Sequence, residues 1–288
     1  MTTEQLPGGG NSVDSGNQRL KRDNLGIYHV ETVGIDNPHR PLWVKYGEQG
    51  YVYNEALYAP NFMDEKRRAL IKIAGDSIAD SGIESGLVLD IGIGPGSISL
   101  PLLERFPKIH VIGVDISPTL MAQGSEQMKP YKETKRLALV EADAIVPPLP
   151  LDGESIDQVV SGFVMQYFGH EGRVNCFKEL HRVLKPGGKL HFSHFDDPEF
   201  QFKTFMGRMQ AAGVETTDAM RRFMQVFPIA AEIDVHVQSG KWRIPSRAEL
   251  IQELEESGFT DIAINSASFL YPDTHIAFGG IYSAGKAA

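Results

Sequence analysis

The chain has 288 residues, 42% of them hydrophobic, and a formal net charge of −9 at pH 7. That length buries one substantial core, as a single domain or a domain with a cap, and the acidic balance excludes nucleic acid as an expected partner, because phosphate backbones call for a basic surface. One cysteine, Cys176, excludes an internal disulfide framework and a thiolate metal cluster; with no apolar run near the roughly 20 residues of a membrane span and no signal-peptide stretch in the first thirty residues, the chain is expected in the cytoplasm.

Residues 1–17, rich in Gly, Ser, Asn and Thr, cannot offset the entropy of ordering and read as a disordered tail. Residues 18–63 read as an irregular arm. Its rings, Trp43, Tyr46, Tyr51, Tyr53, Tyr58 and Phe62, stand among Gly and Pro and either cap a site or anchor the arm to the core. Asp64 to Ala79 predicts a helix, with Leu70, Ile71, Ile73, Ala74 and Ile78 as its apolar face. Leu87 to Ser97 then gives a buried strand, a glycine turn and a helix start in succession. Gly92, Gly94 and Gly96 at alternate positions keep side chains away from a ligand approaching the backbone. Val111 to Asp115 reads as a second buried strand, closing on a carboxylate where a ribose diol finds its acceptor.

Leu137 to Val140 predicts a third strand, again followed by acids in Glu141-Ala142-Asp143-Ala144, and Ile156 to Ser161 a fourth, leading into Gly162 to Phe168. Cys176 lies in an amphipathic segment and reads as a packed thiol. The helix that follows ends on His181 and Arg182, a Pro186-Gly187-Gly188 stop and a new strand. In residues 196–242, Phe202, Phe205, Met206 and Met209, then Met220, Phe223, Met224 and Phe227, fall at helical spacing. Two short helices there either roof an apolar pocket or pack as ordinary core or as a homo-oligomer contact. Ser246 and Glu249 form a capping-box pattern that opens a last helix closing on Gly258. Glu253, Glu255 and Glu256 are placed on its polar, solubilising face.

A dinucleotide fingerprint needs GxGxxG, and position 97 is Ser. The spacing Gly92, Gly94, Gly96 with Asp90 two residues ahead instead resembles the first motif of class I S-adenosylmethionine-dependent methyltransferases of small-molecule type, and the later strands, acids and helix ends match that family in order. A carboxylate beside the turn suits an ammonium and a sulfonium better than a pyrophosphate. The resemblance implies a Rossmann-like α/β fold: a seven-stranded, mostly parallel sheet with helices on both faces. Its core would be residues 64–195 and 243–288, with a helical and aromatic cap from 18–63 and 196–242. It implies S-adenosyl-L-methionine as cofactor, with Asp90, Gly92, Gly94 and Gly96 at the methionine end, Asp115 at the ribose with Ile116 beside it, Asp143 with Ala144 at the adenine, and Gly162 to Phe168 beside the methionine part and the methyl acceptor.

Methyl transfer from a sulfonium is a displacement in which positioning carries much of the work, and a base matters when the acceptor must lose a proton. Strand ends supply Tyr167, His170, His194 and Asp196 as acceptor-side candidates, against structural readings of His170 at a helix entry and of His194 as a packed histidine. Asp196-Asp197 reads as a solvated turn, and no metal is expected. The expected acceptor is a small hydrophobic metabolite, aromatic or isoprenoid, methylated at O, N or C. The alternatives are a cofactor-binding protein without methyl transfer, in a regulatory, scaffold or cyclase role, and an NAD-dependent oxidoreductase.

Overall fold

A computed structural model describes residues 20–22, 27–30, 61–81, 86–199, 207, 211, 243–270 and 275–288. The expected tail, Trp43, Tyr46, Tyr51, Tyr53 and Tyr58 of the arm, and the aromatic and Met residues of the two short helices expected within 196–242 lie outside the described residues.

The sheet is built around β3 (Leu87–Ile91), β4 (His110–Asp115), β5 (Leu137–Glu141), β6 (Ile156–Gly162) and β7 (Leu184–Phe195), all parallel. β9 (Gly279–Gly285) lies antiparallel between β7 and β8 (Thr260–Asn265). Continuous apolar runs such as Leu87-Val88-Leu89 and Val111-Ile112 become strands of this kind because both faces of a parallel sheet are covered by helices.

The expected strand count of seven is corrected to nine. β1 (Leu20–Arg22) and β2 (Ile27–Val30) extend the edge, giving the order β1-β2-β5-β4-β3-β6-β7-β9-β8. These two strands are three and four residues long, too short for their alternation to register in the sequence. β2 is fixed by backbone pairing with β5, which covers an otherwise open edge, and by the burial of Ile27.

Six described helices cover the sheet: α1 (Asn61–Asp80), α2 (Ser99–Arg105), α3 (Pro118–Gln123), α4 (Ser125–Glu133), α5 (His170–Val183) and α6 (Arg247–Glu256). On one face Leu70, Ala74 and Ile78 of α1, with Leu102 of α2 and Met128 of α4, join Val88, Val111 and Val160 in one core. On the other, Cys176, Phe177 and Leu180 of α5 and Leu250 and Leu254 of α6 pack with Leu89, Ile112, Val159 and Phe192. Cys176 is the packed thiol expected, its pKa pushed up by burial. The Ser246–Glu249 capping box forms as read. The Pro186-Gly187-Gly188 stop ends α5 but not the strand: it is a bulge inside β7, where register jumps from Ile156↔Leu184 to Gln158↔Lys189.

Two acids read as solvated are buried instead. Glu253 shares the inward face of α6 with Leu250 and Leu254, and Arg173 of α5 meets it through two hydrogen bonds of 2.7 Å. Asp196, at the end of β7, accepts from Arg247 Nε at 2.8 Å and from the Tyr282 hydroxyl. Charges enter a core when a cation on a neighbouring element comes with them, which one segment's periodicity does not reveal.

Chain order turns β3 into the switch point: β4 and β5 lie to one side of it, β6 and β7 to the other. In open α/β sheets the crevice outside the carboxyl ends of the strands at such a point is where ligands bind.

Candidate active site

The glycine turn hangs from the end of β3 by its own backbone. Gly92 N–H donates to the Val114 carbonyl at 2.7 Å, and Gly96 N–H closes the turn on the Ile93 carbonyl at 2.8 Å. Gly92 has φ +71°, and a Cβ there would stand 2.1 Å from Val164 Cγ2. Gly94, at φ +48°, has nothing within reach of a Cβ except Asp115 Oδ2 at 4.0 Å, so its open side faces empty space. Gly94 N–H donates to that same oxygen at 2.8 Å, while Asp115 Oδ1 accepts from Ser117 N–H at 2.9 Å. The acid closing β4 therefore locks the turn to the start of α3.

These elements enclose about 890 Å³ of empty space, part of it open to solvent. Gly92, Gly94, Asp115, Ile116, Asp143, Ala144 and Tyr167 all line it, so seven of the residues singled out from the sequence converge on one cavity. Phe163, Val164 and Phe168, from the segment expected beside the methyl acceptor, line it too, as do Ile93, Leu120 and Ile145, which sequence reasoning did not assign to the site. The exact placement of Phe163 is a backbone effect. It holds φ +58°, unusual for a residue with a side chain, and its N–H donates to Ser193 Oγ of β7 at 3.0 Å.

The carboxylates differ in setting. Asp115 is buried, which pushes its pKa up to about 6 against the hydrogen bonds from Ser117, Gly94 and Ile116, and nearby Glu141 pushes it further up. Asp143 Oδ1 accepts from Ile145 N–H at 3.2 Å. Asp90 lies behind the turn: Oδ2 accepts from Ser99 Oγ at 2.6 Å, while Oδ1 is buried with no hydrogen-bond partner. Burial pushes Asp90 up to about 7, with Asp115 adding to the rise. A carboxyl whose folded pKa is raised favours the fold while it is protonated, and this contribution is lost as pH rises through the folded value. Unfolding free energy of the ligand-free protein is therefore expected to fall by about 2–4 kcal/mol between pH 5 and 8 through this group. Urea denaturation at the two pH values should show that fall in the wild type and a much smaller one in Asp90→Asn.

Of the two readings open for His170 and for His194, the geometry favours the structural one in each case. His170 opens α5 on a separate polar cleft with Arg173, Arg243 and Glu253, its Nδ1 2.8 Å from Glu253 Oε1. His194 is fully buried, because strand alternation turns it with Leu190 and Phe192 toward α5. Its Nδ1 bonds to the Phe195 carbonyl, and burial, with Arg173 nearby, pushes its pKa down to about 3, so it stays neutral and poorly basic. Neither lines the cavity. Tyr167 does, but burial pushes its phenol up to about 12, which suits it to hydrogen bonding and not to proton abstraction. Among the described residues no group of three or more His, Cys, Asp and Glu could hold a metal ion, and no helix is long and apolar enough to cross a membrane.

The cavity fits an adenosyl sulfonium on this structure's own terms: one open glycine cradle, the buried acid Asp115 with the carboxylate of Asp143 also in the lining, and apolar walls beside them. Residues 88–188 match the family model described as a methyltransferase domain. Fold, turn and match together support a class I S-adenosylmethionine-dependent methyltransferase. It is 26% identical over 211 residues to a demethylmenaquinone methyltransferase of Geobacillus sp. (strain WCH70), covering 73% of this chain and 86% of that one. It is 25% identical over 230 residues to a ubiquinone/menaquinone biosynthesis C-methyltransferase of Syntrophotalea carbinolica, covering 77% and 86%. Among solved structures, the magnesium protoporphyrin IX methyltransferase of Synechocystis PCC 6803 with bound S-adenosylmethionine superposes with a TM-score of 0.55 at 13% identity, over 89% of this chain and all of that one. A Haemonchus contortus phosphoethanolamine N-methyltransferase in complex with the same cofactor gives 0.57 at 17% identity, over 90% of this chain and 62% of that one.

Proposed function

We propose that the protein methylates a small, hydrophobic acceptor, and that the acceptor is an aromatic ring of quinol type, methylated at carbon. The observation that carries the cofactor half of this reading is the convergence of the glycine turn, Asp115 and Asp143 on one cavity at the switch point. The names of the quinone-pathway relatives support the acceptor half, as does the aromatic and Met-rich composition of 18–63 and 196–242, which we assign to a cap over a single domain running from residue 18 to the end of the chain.

In this reading Asp115 accepts from the ribose hydroxyls with Ile116 along the sugar, and Asp143 with Ala144 holds the adenine edge. Gly92, Gly94, Gly96 and Asp90 shape the methionine end. When bound, S-adenosylmethionine supplies an activated methyl group. The chain's own part is to orient the acceptor, with Tyr167 and Phe163 beside it, and to exclude water; effective molarities of about 10⁵ to 10⁸ M indicate how much orientation alone contributes. Work in the cytoplasm accords with this role.

Incubation with S-adenosylmethionine labelled in the methyl group and a panel of reduced quinone precursors, catechols and isoprenoid alcohols tests the reading. Transfer to ring carbon with release of S-adenosylhomocysteine is expected; release with none of these acceptors would point to a binding role without transfer. The site assignment has its own test. Asp115→Asn is expected to weaken S-adenosylhomocysteine binding about tenfold or more, since hydrogen bonds to a charged group are worth about 1.5–3 kcal/mol. A thermal melt reads it, because a hundredfold excess of ligand over Kd stabilises by about 2.7 kcal/mol.

A further inference from the structure

Three residues stand in one row across the edge of the sheet. His29 of β2 is in register with Glu141 of β5, and Glu141 with Asp115 of β4. Register partners on neighbouring strands share a face, and this row lies at the carboxyl ends, where the cavity opens. His29 Nδ1 is hydrogen-bonded to Glu141 Oε2, with the Glu141 side chain only 13% exposed and His29 31% exposed. Asp115 faces the cavity with both oxygens tied to backbone N–H groups, and Glu141 is the nearby negative charge that makes ionising it harder. Glu141 thus opposes the acid that the proposed cofactor contacts use, and β2 delivers an imidazole to it from outside the seven-strand core.

We infer that His29 is a positioning residue for the cofactor cavity: by pairing with Glu141 it offsets the charge that would otherwise oppose Asp115. The inference rests on the reading of Asp115 as the ribose contact. The charged groups in play are Glu141 on β5, Asp115 on β4, and Asp143 two residues beyond Glu141. On the acid side of the range in which histidine titrates, the protonated imidazole makes the pair ionic, which favours the charged form of Asp115 against the burial that pushes its pKa up to about 6. As pH rises the imidazole becomes neutral, while Asp115 no longer needs help to ionise. The contribution of His29 to binding is therefore largest on the acid side and fades above about pH 8.

Calorimetric titration of the full chain with S-adenosylhomocysteine between about pH 6 and pH 8.5 tests this. His29→Ala is expected to raise Kd about two- to fivefold at the acid end, the range measured for partly exposed ion pairs, and to converge with the wild type at the alkaline end. Adding Glu141→Gln to His29→Ala should restore the wild-type Kd, because the opposing charge is then gone. A loss that is the same at every pH and is not restored by Glu141→Gln would mark His29 as a merely structural part of the edge and overturn the inference, as would an unchanged Kd at every pH. His29→Gln, which keeps a hydrogen bond without the charge, should behave as His29→Ala does in the pH profile. The underlying reading fails separately: if Asp115→Asn binds as the wild type does, Asp115 is not the ribose contact, whatever the His29 variants do.

Discussion

Glu253→Ala is expected to cost about 3–5 kcal/mol of unfolding free energy, the penalty for leaving one partner of a buried ion pair uncompensated. Both side chains of the pair are 3% exposed. Arg173 meets Glu253 through Nε and Nη2 at 2.7 Å each, and its Nη1 donates to the Phe168 carbonyl at 2.6 Å. Truncating the glutamate strands a guanidinium between α5 and α6. Arg173→Met combined with Glu253→Leu should recover most of the loss, because apolar groups of similar volume replace a buried pair at little cost. The recovery should be incomplete in function. Phe168 lines the cavity proposed for the cofactor, and the double variant lacks the cation that fixes its carbonyl, so S-adenosylhomocysteine should bind more weakly to a protein of near-normal stability. Urea denaturation at pH 7 and a ligand titration separate the two effects. A cost below about 1 kcal/mol for Glu253→Ala would show that the pair behaves as an exposed one.

The same pair shows where the sequence stopped being legible. Asp64 to Ala79 and Val111 to Asp115 could be read because each carries its own period and its own end signal, and the structure extends them by only a few residues, to Asn61–Asp80 and His110–Asp115. That the glycine turn, Asp115 and Asp143 converge on one cavity was legible for a related reason. A cofactor with a long rigid part needs its contacts at the ends of consecutive strands, so they recur in fixed order along the chain. Glu253 and Asp196 failed because what decides their burial is a cation on another element, Arg173 for one and Arg247 for the other. For His194 one pleat decides between the two readings, in favour of the packed histidine. The strand end was located, but alternation aims His194 at α5, while Ser193 turns to the other face, where it accepts from Phe163 N–H. β1 and β2 were missed because short edge strands are specified by the strand they complete, here β5.

Two glycines of the turn should separate folding from cofactor binding. At Gly92 an added methyl meets Val164 Cγ2 at 2.1 Å in a left-handed backbone of φ +71°. Gly92→Ala therefore combines about 1–2 kcal/mol for the conformation with about 1–3 kcal/mol for overpacking. It should destabilise the protein by several kcal/mol and displace Val164 from the cavity wall. At Gly94 the backbone is also left-handed, φ +48°, but the nearest atom to the added methyl is Asp115 Oδ2 at 4.0 Å, an ordinary contact. Gly94→Ala should cost only the conformational part, about 1–2 kcal/mol. Its methyl, however, occupies the space the cofactor needs, so Kd for S-adenosylhomocysteine should rise at least tenfold while the ligand-free melting temperature moves only a few degrees. The two substitutions are chemically identical and two residues apart, so any general weakening of the turn would affect both alike. If Gly94→Ala binds the cofactor product as the wild type does, the open side of Gly94 does not face the bound ligand, and the methionine end must be sought elsewhere along Gly162 to Phe168.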